Sequence, residues 1–319
     1  MLFSSRVKME LASIKSENRC CQYACLSSVI RMVGSIEIKG SNKFNLKIVT
    51  RNGYLIRHTF RTIKKLFDIV PKLMVKKTKR LKKNNIYILL IESSSDTKEI
   101  LKALNILHFN PNMGFYINYG IDKNTVKNHC CKRAYLRCAF LGGGSITDPG
   151  KTYHLEFTCS NYKFAKDLSM LINSFGLKSK IIERKKYFMV YLKESEQISH
   201  MLNVMGAHSS LLEMENIRVI KGVRNTVNRL VNCDTANLNK TINASIRQVE
   251  NIKLIEKKVG LKKLSKPLRE IAELRLQFPD VSIKELGEML QPPISKSGAN
   301  HRLRKINYIA TEIKKAGNS

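Results

Sequence analysis

Residues Arg133 to Ile146 read R-A-Y-L-R-C-A-F-L-G-G-G-S-I, and the reading of this stretch decides the fold. Ala134, Leu136, Ala139 and Phe140 are apolar and compatible with helix, so the stretch begins as one. Gly142, Gly143 and Gly144 stop it. Glycine there permits left-handed geometry and lets two backbones approach closely. Ser145-Ile146 then opens an extended segment. A weaker copy runs from Ala24 through Leu26, Val33 and Gly34-Ser35-Ile36. Ala24 answers Ala134, Leu26 answers Leu136, and Gly34-Ser35-Ile36 answers Gly144-Ser145-Ile146. The chain is therefore duplicated, and the two helices form its seam.

Working outward, Ser4 or Ser5 can cap a first short helix with Val7, Leu11 and Ile14 on one face. The first seam helix runs from after Arg19 to about Met32. Strands are expected at Ser35–Ile38, Phe44–Thr50 and Tyr54–His58, and a helix face at Ile63, Leu66, Phe67 and Val70, ended by Pro71. Strands near Leu73–Lys77 and Ile86–Glu92 flank a basic tip, Lys76 to Lys83. Asp96 or Thr97 caps a helix with Ile100, Leu101, Leu104 and Leu107 inward. The second copy repeats this order. Strands fall at Ser145–Thr147 and His154–Cys159 around Asp148-Pro149-Gly150, and a helix covers Asn161–Phe175. Strands Lys180–Arg184 and Tyr187–Leu192 follow, then a helix capped by Ser195. Each unit reads helix, strand pair, helix, strand pair, helix, at a period near 110 residues. That is a pseudo-twofold domain rather than a solenoid.

From Asn232 the texture changes. Thr235 to Val259 lacks Gly and Pro and carries a stripe of Leu238, Ile242, Ile246, Val249, Ile252 and Ile255, which reads as a linker helix stopped by Gly260. Beyond it, Pro267–Leu276 makes a helix. Ser282-Ile283-Lys284-Glu285 is a capping box opening a short helix, and Gln291-Pro292-Pro293 ends that helix. Ser295 or Ser297 caps another helix with Ala299, Leu303 and Ile306 inward. Its other face presents Lys296, Ser297, Asn300, His301 and Arg304, flanked by Arg302 and Lys305. This is a helix-turn-helix pattern. Asn300 can bond an adenine edge and Arg304 a guanine. The plainer alternative is a small helical bundle with a solvated basic face.

The chain has 319 residues and a formal net charge of +32, which favours a polyanionic partner, most simply nucleic acid. Lysine enrichment from an A/T-rich genome is the competing source of that charge. Residues from Gly260 on carry +6 and the remainder +26, so most of the excess lies outside the helix-turn-helix. No run is long and apolar enough for a membrane span, and Met1 to Lys15 lacks the apolar core of a signal peptide, so a cytosolic location is expected. The eight cysteines include Cys20-Cys21-x3-Cys25 and Cys130-Cys131-x6-Cys138, none forms a C-x-x-C pair, and no His completes a zinc spacing. They read as reduced thiols in the seam helices, with a metal or redox site as the less favoured alternative. No metal or cofactor is expected.

Two helices ending in Gly-Ser-Ile, each followed by paired strands and helices, resemble the LAGLIDADG homing-endonuclease fold. In that fold each helix ends on an acid just before the glycine, and the two acids hold divalent metal over the scissile phosphates. The corresponding positions here are Val33 and Gly143, which cannot ligate metal. Glu37 and Asp148, the nearest acids, lie past the helix ends. Three longer stretches are more specific. Arg133 to Phe157, Asn232 to Lys240 (N-C-D-T-A-N-L-N-K) and Pro292 to Ile306 (P-P-I-S-K-S-G-A-N-H-R-L-R-K-I) are similar to the WhiA family. So are the Phe3-Ser4-Ser5 opening and the Cys20-Cys21 pair. Cys138 departs from that pattern, where a small residue such as glycine is expected.

The resemblance implies an α+β protein: a duplicated LAGLIDADG-like αββαββα domain, a linker helix and an all-α helix-turn-helix domain. The expected domains are residues 1–125 and 126–220 for the two repeats, 221–260 for the linker helix and 261–319 for the helix-turn-helix. It further implies a non-cleaving, double-stranded-DNA-binding protein of a Gram-positive-type bacterium, cytoplasmic and nucleoid-associated. The implied role is in cell division and chromosome segregation, or in transcription regulation. The expected DNA-binding residues are Ser282, Lys296, Ser297, Asn300, His301, Arg302, Arg304 and Lys305, with secondary phosphate contacts from Lys76, Lys77, Lys79 and Arg80. A solvated hairpin is an equal alternative for that basic tip. A protein partner on the duplicated domain is the alternative to its phosphate contacts, and a monomeric state is expected. The rival readings are a metal-dependent endonuclease, opposed by Val33 and Gly143, and an interaction scaffold.

Overall fold

The computed structural model describes residues 2–15, 18–39, 43–77, 85–112 and 114–316. They fall into two compact units, residues 1–220 and 221–319. The first opens with α1 (Phe3–Ser13), whose Phe3, Val7 and Leu11 are buried at helical spacing. Neither expected serine caps it: the N-cap is Leu2, and Ser4 lies inside the helix with its Oγ accepting from Ile146 N.

The first repeat is α2 (Arg19–Val33), β1 (Gly34–Lys39), β2 (Lys43–Thr50), α3 (Gly53–Phe67), β3 (Lys72–Lys76), β4 (Ile86–Ile91) and α4 (Ser94–Ala103). A short hairpin, β5 (Leu107–Asn110) and β6 (Gly114–Ile117), leads to the second repeat. That repeat is α5 (His129–Gly143), β7 (Gly144–Ile146), β8 (Leu155–Cys159), α6 (Tyr162–Asn173), β9 (Lys180–Arg184), β10 (Tyr187–Leu192) and α7 (Ser195–Met205). Each repeat builds one antiparallel sheet, in the orders β1-β2-β4-β3 and β7-β8-β10-β9. Positions in α2 recur 110 residues later in α5. The αββαββα duplication and its seam are therefore real.

Tyr54 to His58, expected as a strand, is the start of α3. Asn52 Oδ1 accepts from Tyr54 N and Leu55 N at 3.0 and 3.2 Å, which caps a helix at that point. Leu55, Ile56, Thr59, Thr62 and Ile63 are buried, a helical rather than alternating set. Leu107 likewise leaves α4 for β5, a hairpin that periodicity did not reveal. Ser93 caps α4 in place of Asp96 or Thr97, and Glu194 precedes α7 where Ser195 was expected as cap.

The seam packs α2 against α5. Ser28 Oγ donates to Tyr135 O across it at 2.9 Å. Cys25 and Cys138, expected as free thiols, form a disulfide with their Cα atoms 5.3 Å apart. Separation by 113 residues hides that pair in the sequence. Gly34 and Gly144 are extended, with φ of −87° and −80°, so left-handed freedom is not their purpose. What counts is the missing side chain: a Cβ on Gly144 would lie 2.7 Å from Phe140 Cα, and one on Gly142 would lie 2.9 Å from Met32 Cβ.

One continuous helix, α8, runs from His208 to Lys258, starting well before the expected linker. Its N-terminus is held by Glu10, whose carboxylate accepts from Ser209 N, Ser210 N and Ser210 Oγ at 2.6–3.0 Å. Of the expected stripe, Ile252 and Ile255 are buried, whereas Leu238, Ile242 and Ile246 are exposed. The second unit then adds α9 (Lys266–Gln277), α10 (Ile283–Glu288) and α11 (Lys296–Ala316). Ile252, Ile255, Leu268, Ile271, Leu290, Leu303 and Ile306 make its core. Among the described residues no helix is long and apolar enough to cross a membrane.

Candidate nucleic-acid interface

The helix pair α10–α11 is fixed by local chemistry. Ser282 Oγ accepts from Glu285 N at 3.3 Å, and Glu285 accepts from Ser282 N at 2.9 Å, so the capping box forms. Hydrogen bonding of the Ser282 side chain, then of its backbone N–H, to the carboxyl holds Glu285 below its ordinary range. The turn after α10 folds onto Gly287, where Ile294 N donates to Gly287 O at 2.9 Å. A Cβ on Gly287 would lie 2.6 Å from Ile294 O, so only glycine admits the turn this closely. Ser295, of the two candidate serines, caps α11: its Oγ accepts from Gly298 N at 3.3 Å.

On α11, Ala299, Leu303, Ile306 and Ala310 face the core. Lys296, Ser297, His301, Arg304 and Lys305 are exposed, and Asn300 is half-buried. Two expected site residues are otherwise engaged. Arg302 Nη1 donates to Pro267 O at 3.3 Å, tying α11 to α9, and the Ser282 hydroxyl oxygen caps α10. Lys296 also borders a cavity of about 680 Å³ between α8, the α9–α10 loop and α11.

Arg275 was not anticipated. It is buried, and its Nη1 donates to Val281 O at 2.6 Å, Pro279 O at 3.2 Å and Phe278 O at 3.5 Å. One guanidinium thus gathers the loop joining α9 to α10. Leu268, Ile271, Ala272 and Arg275 lie at helical spacing, so the inward face of α9 already pointed to it.

At the other candidate centre, the C-terminal ends of α2 and α5, Val33 and Gly142 border a cavity of about 670 Å³. None of its lining residues is acidic, and Lys8 and Arg51 are among them. Lys8 lies over the Phe140 ring, 5.8 Å from its centroid, and burial lowers its pKa. A Cβ on Gly143 would lie 3.1 Å from Thr158 O and would require the end of the Met32 side chain to swing aside. Glu37 pairs with Lys47 at 3.6 Å, and Asp148 Oδ1 accepts from Gly150 N at 2.8 Å. Glu156, on β8, accepts from Ser145 Oγ at 3.0 Å and pairs with His154 at 2.9 Å. In the basic tip, Lys76 and Lys77 are exposed; Lys79 and Arg80 lie outside the described residues.

Two tandem αββαββα repeats sharing a helical seam, followed by a capped helix-turn-helix, define a LAGLIDADG-type protein with an appended helix-turn-helix domain. Family models agree along the chain: the WhiA N-terminal LAGLIDADG-like domain matches residues 19–107, the WhiA LAGLIDADG-like domain residues 132–224, and the WhiA C-terminal HTH domain residues 227–310. A cell division protein WhiA of Clostridium tetani is 50% identical over 318 residues, covering 100% of both chains. One of Alkaliphilus metalliredigens is 51% identical over 97% of this chain and 98% of its own. The crystal structure of full-length DUF199/WhiA from Thermatoga maritima superposes with a TM-score of 0.58 at 25% identity, covering 98% of this chain and 99% of that one. The chain belongs to the WhiA family.

Proposed function

We propose that the protein binds double-stranded DNA through the exposed face of α11 and does not cleave it. The observation that carries this reading is that face: Lys296, Ser297, Asn300, His301, Arg304 and Lys305 project from a helix whose opposite side is locked into the core. A helix of this kind enters a major groove with short polar groups and arginines towards bases and phosphates. Ser282 and Arg302 act by holding the module in shape. The duplicated domain adds phosphate contacts through Lys76 and Lys77, or offers a surface to a protein partner. Among the described residues, the lining of its seam-end cavity includes Lys8 and Arg51 and no acid, which suits a phosphate and opposes a divalent metal. Its relatives are named as cell division proteins, which supports a role for such binding in cell division, with chromosome segregation or transcription control as the route. A monomer in the cytoplasm, associated with the nucleoid, fits two pseudo-symmetric halves carried in one chain.

Genome-wide mapping of bound DNA, followed by footprinting of one mapped site, tests binding and its sequence preference. Affinity that is weak and equal on every sequence at moderate salt would favour a scaffold instead. Incubation of supercoiled plasmid with stoichiometric protein and Mg²⁺ tests the rest: intact plasmid is expected, and nicking would overturn the non-cleaving reading.

A further inference from the structure

Four thiols away from both centres meet at the opposite end of the seam. Cys20 and Cys21 are the second and third residues of α2, and Cys130 and Cys131 hold the same positions in α5. Their four sulfur atoms all lie within 4.8 Å of one another, with Cys130 and Cys131 Sγ 4.0 Å apart. Each helix supplies an adjacent pair, so no C-x-x-C spacing announces the cluster. The two pairs are related by the same 110-residue offset that carries Gly34 onto Gly144. The pseudo-twofold of the seam therefore exchanges them, and a tetrahedral four-sulfur centre possesses just such a twofold axis.

We infer that Cys20, Cys21, Cys130 and Cys131 bind one soft divalent cation of the zinc class, as a structural tetrathiolate centre on the pseudo-dyad. Zinc–sulfur bonds of about 2.3 Å place tetrahedral sulfurs about 3.8 Å apart, so the observed cluster closes by side-chain shifts of about 1 Å or less. An all-sulfur donor set excludes magnesium and calcium, which take oxygen. Four protein ligands leave no open position, which makes the centre structural rather than catalytic.

The surroundings suit the charge. On binding, four thiols release four protons, and M²⁺ with four thiolates carries a net charge of −2. Both helices point their positive N-terminal ends at the cluster, and neither Asn18 nor Asn128 caps its helix with a side-chain hydrogen bond. Lys15, Arg133 and Arg137 line an adjoining cavity of about 340 Å³ that also touches Cys21 and Cys130. Cys21 and Cys131 are buried and hold the ion from beneath, while exposed Cys20 and Cys130 give it a way in. The centre would clamp the beginnings of the two helices whose ends meet at Gly142 and Met32.

The test uses the full chain, purified anaerobically under reducing conditions from zinc-supplemented cells. One zinc per chain is expected. One equivalent of Co²⁺ in its place should give intense thiolate charge-transfer absorption and the visible bands of a tetrahedral site. Chelation should expose four further thiols to a disulfide reagent and lower the Tm. Cys20→Ser with Cys130→Ser should abolish metal binding, and Cys233→Ser should leave it intact. Should the double variant not fold, the thiol count on chelation of the wild-type chain still decides. Protein without zinc and with no tetrahedral cobalt spectrum would overturn the inference, as would disulfides among these four cysteines in protein trapped under the same reducing conditions.

Discussion

Arg304 is the residue whose removal best separates base reading from simple charge. It is exposed on α11, one helical turn beyond Asn300. Arg304→Ala is expected to weaken binding to a footprinted site by roughly 1–3 kcal/mol while sparing random DNA. Equal affinity of wild type and variant on the footprinted site would remove Arg304 from the base-reading set. His58 makes a prediction of a different kind. It packs at 3.9 Å from Cys25 Sγ, and burial first, then Arg137 and Arg61, lower its pKa. The folded state thus holds fewer protons here than the unfolded chain does near pH 6.5. Stability from this residue is complete above that pH and is lost as pH falls towards the folded-state value. His58→Gln should flatten the acid side of a Tm-against-pH curve below about pH 6.5, and an unchanged curve would assign that slope elsewhere.

At the scale of elements, the α9–α10 connection hangs on Arg275. Replacing it with methionine keeps much of its apolar stem but strands the carbonyls of Phe278 and Val281, while Pro279 O keeps the Ser245 hydroxyl. Arg275→Met should cost about 1.5–3 kcal/mol, read as a lower urea midpoint for the C-terminal unit, with α10 shifted off its partner. A midpoint equal to wild type would show that water serves those carbonyls as well. The elements that sequence made legible were those carrying their own punctuation. Gly34 and Gly144 marked the seam, Ser282 with Glu285 marked α10, and continuous apolar runs marked β4 and β10. What escaped was decided by partners distant in sequence. Residues 54–58 open with the apolar run Tyr54-Leu55-Ile56, which reads as strand, yet Asn52 caps them and they coil into the core as helix. Cys25 finds Cys138 only because two helices 110 residues apart pack side by side. The four-cysteine cluster is hidden for the same reason. Of the interface, the exposed face of α11 was readable from its apolar opposite. The tie of Arg302 to Pro267 was not readable, because it exists only once α9 and α11 pack.

For the whole molecule, charge and specificity are carried by different parts. The chain bears +32, yet only +6 of it lies from Gly260 onward, in the part that holds α9, α10 and α11. If the remaining charge is mere composition, DNA affinity should depend on salt only as far as the α11 face reaches phosphates. If the duplicated domain touches the backbone, each neutralised phosphate adds about 0.9 to the slope of log affinity against log salt. Lys76 and Lys77, exposed at the end of β3, are the described residues that decide between these cases. Lys76→Glu with Lys77→Glu should weaken binding to all sequences by the same factor and reduce the salt slope by about 1 per lysine, with the ratio of specific to random affinity unchanged. Arg304→Ala should do the reverse, lowering that ratio while moving the slope by no more than about 1. A slope untouched by the double lysine change would confine DNA contact to α11 and leave the charge of this hairpin as a solvated surface.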